Sequence, residues 1–139
     1  MHTEQHLRAE FFNALTHGVG ALLSLIGGVS LITMASIWGS KWQLISAIVF
    51  SLSLIGLYTS SALYHSTHEP KTKGRLQILD HCMIYVLIAG SYTPFTLIAM
   101  REDGGWLIFG ITWTLALIGI IFKLFYTGRF EVLSTLIYL

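Results

Sequence analysis

The stretch Trp42–Tyr64, WQLISAIVFSLSLIGLYTSSALY, holds no Asp, Glu, Lys or Arg from end to end. As a helix rising ~1.5 Å per residue it is long enough to cross a hydrocarbon core of ~30 Å. Three further stretches share the property: Phe11 to Ser40, His81 to Met100 and Gly104 to Phe122. Their apolar character is continuous over about twenty residues, whereas barrel strands alternate in segments of ~10, so the runs read as helices. The expected fold class is an all-α integral membrane protein with four complete transmembrane helices. Composition agrees, because 54% hydrophobic and 11% charged leaves too few charges to cover a soluble domain of 139 residues.

A fifth apolar run, Val132 to Leu139, reads as the start of another span but reaches only ~12 Å as a helix. Residues 1–139 are therefore expected to be one membrane domain, a fragment ending inside a fifth hydrophobic segment. The amino terminus does not read as a cleavable signal, since Glu4 and Glu10 dilute its charge and the apolar run exceeds a signal's core. Retention of basic residues in short cytoplasmic loops gives the orientation. A cytoplasmic amino terminus puts Arg8, Lys71, Lys73, Arg75, Lys123 and Arg129 inside and leaves Lys41 and Arg101 outside. The net charge of +1 comes with no basic, aromatic-interleaved groove, so nothing points to nucleic acid. A single cysteine, Cys82, excludes an internal disulfide.

Ionisable groups in or beside a span are costly, which makes His17, His65 and Asp80 functional candidates. In the deduced topology all three lie at one membrane depth, near the cytoplasmic ends of their helices. Tyr58, Ser61 and His65 are spaced three and four apart and project from one face of the second helix. Asp80, Ile84, Leu87 and Ser91 form a stripe that can turn the carboxylate toward a bundle interior. A connection of about a dozen residues makes these two helices antiparallel neighbours, so Ser61, His65 and Asp80 can meet. Such a group suits metal-assisted hydrolysis, with an imidazole on Zn²⁺ while a carboxylate and a hydroxyl handle the attacking water. A catalytic zinc normally takes three protein ligands, however, and the alternative is an interfacial histidine and aspartate, wet or paired with Lys71, Lys73 or Arg75. Spacing alone does not choose between them.

His68 and His81 are given loop or supporting roles, and His2 and His6 a solvated tail. The stripe Asn13, His17, Gly20, Ser24, Gly27 is read as a helix-packing surface. Pro94 should kink the third helix by freeing the carbonyl near Gly90. Trp38, Trp42 and Trp106 fall at the predicted outer ends of spans, as an aromatic belt does.

Three motif segments carry a family resemblance: Glu10-Phe11-Phe12-Asn13-Ala14-Leu15-Thr16-His17-Gly18-Val19-Gly20, Ser61-Ala62-Leu63-Tyr64-His65, and Leu79-Asp80-His81 followed by Ile88-Ala89-Gly90-Ser91-Tyr92-Thr93-Pro94-Phe95. Through them the chain resembles hemolysin III proteins, the bacterial branch of the progestin and adipoQ receptor superfamily. Glu131, Ser134, Thr135 and Tyr138 are similar to that family's start of helix five. The resemblance implies a seven-helix protein of the bacterial plasma membrane with a zinc site near the cytoplasmic side. His65 would be a zinc ligand, Ser61 and Asp80 would lie beside the metal, and two further histidines would come from a seventh helix beyond this chain. A likeness to alkaline ceramidases in the metal-site pattern implies hydrolysis of a membrane lipid amide or ester. Two other functions stay open: cytolysis by membrane permeabilisation, and a lipid sensor or regulator of membrane state without turnover.

Overall fold

The structure is a computed structural model that describes residues 2–126 of the chain. It contains α1 (His2–Trp38), α2 (Lys41–Ser66), α3 (Pro70–Pro94) and α4 (Trp106–Tyr126), with two short segments, Phe95–Ala99 and Arg101–Gly105, between α3 and α4. Four helices are long and apolar enough to cross a membrane, and there is no strand among the described residues. The all-α membrane fold with four complete spans is therefore as expected from the charge-free runs. The expected fifth segment, Val132–Leu139, lies outside the described residues, as do Arg129, Glu131, Ser134, Thr135 and Tyr138.

Local chemistry sets the boundaries. Ser40 Oγ accepts from the Gln43 N–H at 3.4 Å while Gln43 Oε1 accepts from the Ser40 N–H at 2.7 Å, a reciprocal cap that starts α2. With only Gly39 and Ser40 between them, α1 and α2 run antiparallel. Glu69 caps α3 by accepting from the backbone N–H groups of Lys71 at 3.0 Å and Thr72 at 2.6 Å, with Pro70 preset in the first turn. The hydrogen bonds with Thr72, and then that with Lys71, hold the Glu69 carboxyl below its ordinary range.

Packing follows the rule for helices in lipid, where small residues let backbones approach because no hydrophobic force drives helix against helix. Gly28 stands against Ser51, Gly20 against the Tyr58 ring, Gly90 against Ser53 and Gly119 against the Tyr85 ring. The buried positions of α2 are all small: Ser46, Ala47, Ser51, Ser53, Ser60 and Ser61. Ser53 and Ser60 satisfy their hydroxyls on the backbone carbonyls of Val49 and Leu57. Large apolar side chains such as Phe11, Leu22, Leu52 and Leu107 point outward, where lipid is the solvent. The α1 contact surface differs slightly from its expected stripe. Gly20 and Ser24 belong to it, but the next step of four lands on buried Gly28, while Gly27 and Asn13 face outward.

A Cβ added at Gly90 would overlap both Oγ and Cβ of Ser53, and rotating Ser53 relieves only the first. Gly90→Ala is expected to lower stability by ~1–3 kcal/mol, and Ser53→Gly in the same chain to recover part of it. Thermal unfolding of the two variants in detergent checks this.

Pro94 is the last residue of α3, yet the chain stays helical through it. Its backbone stays helical (φ −63°, ψ −36°), and the strain is relieved just beyond it by a wider turn, in which the Met100 N–H reaches back to the Phe95 carbonyl at 2.9 Å. A π-turn thus follows the proline. Around it Thr93 and Thr96 are completely buried, and the Trp113 indole N–H donates to Thr93 Oγ1 at 3.2 Å, tying α4 to α3. The chain then reverses at Gly104, whose φ of 84° is in the left-handed region that glycine occupies without penalty. At this end of the bundle Trp42 meets Trp106 edge-on at 5.2 Å, and Lys41 and Arg101 lie over the Trp42 ring at 5.2 and 5.6 Å.

Candidate functional site

At the opposite end of the bundle, polar side chains from three helices converge. Because α1 and α2 are antiparallel, the first turns of α1 lie beside the last turns of α2. Glu10 and His17 are two turns apart on one face of α1, and Ser61 and His65 are one turn apart on α2. His17 Nδ1 lies 2.6 Å from Ser61 Oγ, and the His17 ring stands edge-on to the rings of His65 (5.5 Å) and Tyr58 (5.9 Å). Either the hydroxyl donates to a bare Nδ1 or an Nδ1–H donates to the hydroxyl, depending on the tautomer. Ser61 is 4% exposed, so deleting one partner of this bond leaves a buried polar group unmatched, at a cost of ~1–3 kcal/mol.

His65 Nδ1 faces Glu10 Oε2 at 3.4 Å, and Lys73 Nζ, from α3, donates to the same oxygen at 2.5 Å. Lys73 also lies over the Tyr64 ring at 4.9 Å, and the Tyr64 ring is 4.7 Å from that of His65. The Glu10 and His65 side chains are each only 16% exposed.

The candidate residues are therefore placed as follows. Ser61 and His65 are brought together through His17, which contacts both. The expected dozen-residue connection is itself helical from Pro70 on, so Asp80 lies half-buried about three turns into α3, and no hydrogen bond or ion pair joins it to Ser61, His65 or any other described residue. Lys73 pairs with Glu10 in place of Asp80. The buried residues of α3 are Cys82, Tyr85, Ala89, Gly90 and Thr93; the stripe of Asp80, Ile84, Leu87 and Ser91 lies beside them, half-covered. This follows from the neighbours of α3, which packs between α2 and α4 and buries the face those helices touch. His68 is exposed beyond the end of α2, and His81 is half-buried on α3.

From sequence His17 is a functional candidate that also lies in a packing stripe, but its pairing with Ser61 is not foreseen, and Glu10 has no role beyond its place in a motif. The signal was the spacing of Glu10, Asn13 and His17, three and four apart, which sets a carboxylate and an imidazole on the same face. A cleft of about 420 Å³ runs between α1 and α2 beside this cluster; Gly20, Leu23, Gly28, Leu54 and Tyr58 are among its walls. Tyr58 belongs to both cleft and cluster.

An imidazole binds zinc through a nitrogen free of other bonds, and with Nδ1 turned to Glu10 the His65 ring keeps Nε2 for that use. His65 is thus of the right donor type. Among the described residues no three of His, Cys, Asp and Glu are grouped so as to hold a metal ion.

Comparison with known proteins gives the wider setting. The sequence pattern described as "Haemolysin-III related" matches residues 5–139. The chain is 48% identical over 133 residues to the Hemolysin-3 homolog of Bacillus subtilis, covering 96% of this chain and 62% of that protein. It is 47% identical over 135 residues to Hemolysin-3 of Bacillus cereus, covering 97% and 62%. Human Monocyte to macrophage differentiation factor is 26% identical over 140 residues, covering 91% and 54%. The chain thus spans 62% of the length of the two Bacillus relatives. No solved structure matches it.

Proposed function

Since the chain belongs to the Haemolysin-III related family, we propose that it is the amino-terminal part of a zinc-binding, multi-pass membrane protein that hydrolyses a membrane lipid amide or ester. The observation carrying this reading is the cluster of Glu10, His17, Ser61 and His65 at one end of an otherwise apolar bundle, where uncompensated polar groups are expensive. His65 offers Nε2 to the metal, and two further histidine ligands come from the remainder of the full-length protein. Zinc, when bound, supplies a water acidic enough to be deprotonated near neutral pH. Asp80 would be the carboxylate that takes a proton from an attacking water. Ser61, held by His17, directs a hydroxyl at the reacting oxygen of the lipid. The apolar cleft that ends at Tyr58 has room for part of an acyl chain. The distribution of Lys and Arg favours a cytoplasmic amino terminus in a bacterial plasma membrane, which puts this chemistry at the inner leaflet.

Zinc content of the purified full-length protein in detergent, compared with His65→Ala, tests the reading. One zinc per chain that falls by 100-fold or more in occupancy-weighted affinity on substitution supports it; equal zinc in both, or none in either, removes the metal. A second reading, membrane permeabilisation, draws on the name Hemolysin-3 carried by the Bacillus cereus relative. It predicts leakage from vesicles that survives loss of His65 and Asp80, and a lipid sensor predicts saturable binding with neither turnover nor leakage.

A further inference from the structure

His65 is held on three sides. Its Nδ1 faces the Glu10 carboxylate at 3.4 Å, the Tyr64 ring lies 4.7 Å away, and the His17 ring stands edge-on at 5.5 Å. Glu10 is itself held, because Lys73 Nζ donates to the same Oε2 and is kept in place over the face of Tyr64 at 4.9 Å. Glu10, Lys73, Tyr64 and His65 therefore form a closed circuit drawn from α1, α2 and α3. An ionised carboxylate only accepts hydrogen bonds, so the imidazole nitrogen facing it is the one that carries the proton.

We propose that Glu10, anchored by Lys73, is the positioning residue of His65, holding its ring as the Nδ1–H tautomer with Nε2 bare. The consequence for metal binding rests on the zinc reading above; the tautomer does not. A carboxylate behind a ligating imidazole fixes the ring's direction and raises its basicity, and loss of such a partner typically weakens metal binding by ~10–100-fold. Lys73 is part of the device because it occupies the oxygen that Glu10 turns toward His65, and without it the carboxylate is free to swing away. The role is read in the state of the ring.

The test uses the metal-free full-length protein with ¹⁵N-labelled histidine in detergent, the His65 ring signals being assigned by comparison with His65→Gln. The expected spectrum of the wild type has a protonated Nδ1 and an unprotonated Nε2. Glu10→Ala should shift the ring toward the Nε2–H form, and Glu10→Gln, whose amide oxygen accepts the same proton, should largely preserve the wild-type pattern. Lys73→Met should fall between them. In chelator competition, zinc affinity should drop 10–100-fold in Glu10→Ala and only severalfold in Glu10→Gln. A wild-type His65 that is Nε2–H or doubly protonated overturns the proposal, as does a ring unchanged in Glu10→Ala. A chain that binds no zinc yet shows the tautomer shift leaves the positioning role standing and removes the zinc reading alone.

Discussion

Asp80→Asn in the full-length protein should leave zinc content unchanged and slow hydrolysis of a lipid amide or ester by ~10²–10⁴-fold, the range a positioned general base contributes. The expectation comes from the unusual freedom of this carboxylate. Glu10 is committed to Lys73 and His65, and Ser61 to His17, whereas Asp80 is half-buried at the same end of the bundle and engaged by no described residue. An ionisable group beside lipid is costly, which marks it as a functional candidate. Asparagine keeps the volume and the hydrogen-bonding reach but cannot take up the proton. Zinc retained with turnover lost separates Asp80 from the ligands; undiminished turnover means the base lies elsewhere. Leakage that persists in the variant points to permeabilisation instead.

Gly105→Ala should be the most damaging single substitution in the connection between α3 and α4. Gly105 is buried, and a Cβ there would collide with the carbonyl oxygens of Thr96 and Met100 and with the Met100 carbonyl carbon. These are backbone atoms, so no rotamer change relieves the overlap. The only escape is to move the turn, which breaks the 2.8 Å hydrogen bond from the Gly105 N–H to the Met100 carbonyl and draws α4 away from Thr93. The loss is expected to be on the order of 3 kcal/mol or more. Its neighbour supplies the control. Gly104 has open space where its Cβ would be but a φ of 84°, so Gly104→Ala should cost only the ~1–2 kcal/mol of a left-handed alanine. Thermal unfolding of both in the same detergent should rank Gly105→Ala well below Gly104→Ala; the reverse order would mean that backbone conformation, and not space, governs the turn.

The spans were legible because charge is excluded from lipid whatever the packing, so runs such as Trp42–Tyr64 mark their helices without tertiary information. Small-residue contacts were legible to within one position: periodicity pointed to Gly20 and Ser24, but the choice of Gly28 over Gly27 depends on how α1 crosses α2. The common face of Ser61 and His65 follows from a spacing of four and is present in the fold. Their partners were not legible, since a spacing within α2 carries no information about the register of α1 against it. That register brings Glu10 to His65 and His17 to Ser61. Pro94 was recognised as a disturbance, but its position alone does not show that a wider turn follows it.

Among the described elements, the backbone of α1 packs against α2 alone, and two residues join the helices. Order of synthesis then becomes order of assembly. Once α2 has entered the bilayer, the one described backbone neighbour of α1 is in place, so the first hairpin can close with Gly28 on Ser51 and His17 on Ser61 before α3 docks. Lys73, arriving with α3, latches onto a Glu10 already seated beside His65. The third helix is thereby docked against a finished template, and a chain interrupted before Lys73 would hold the hairpin without its latch.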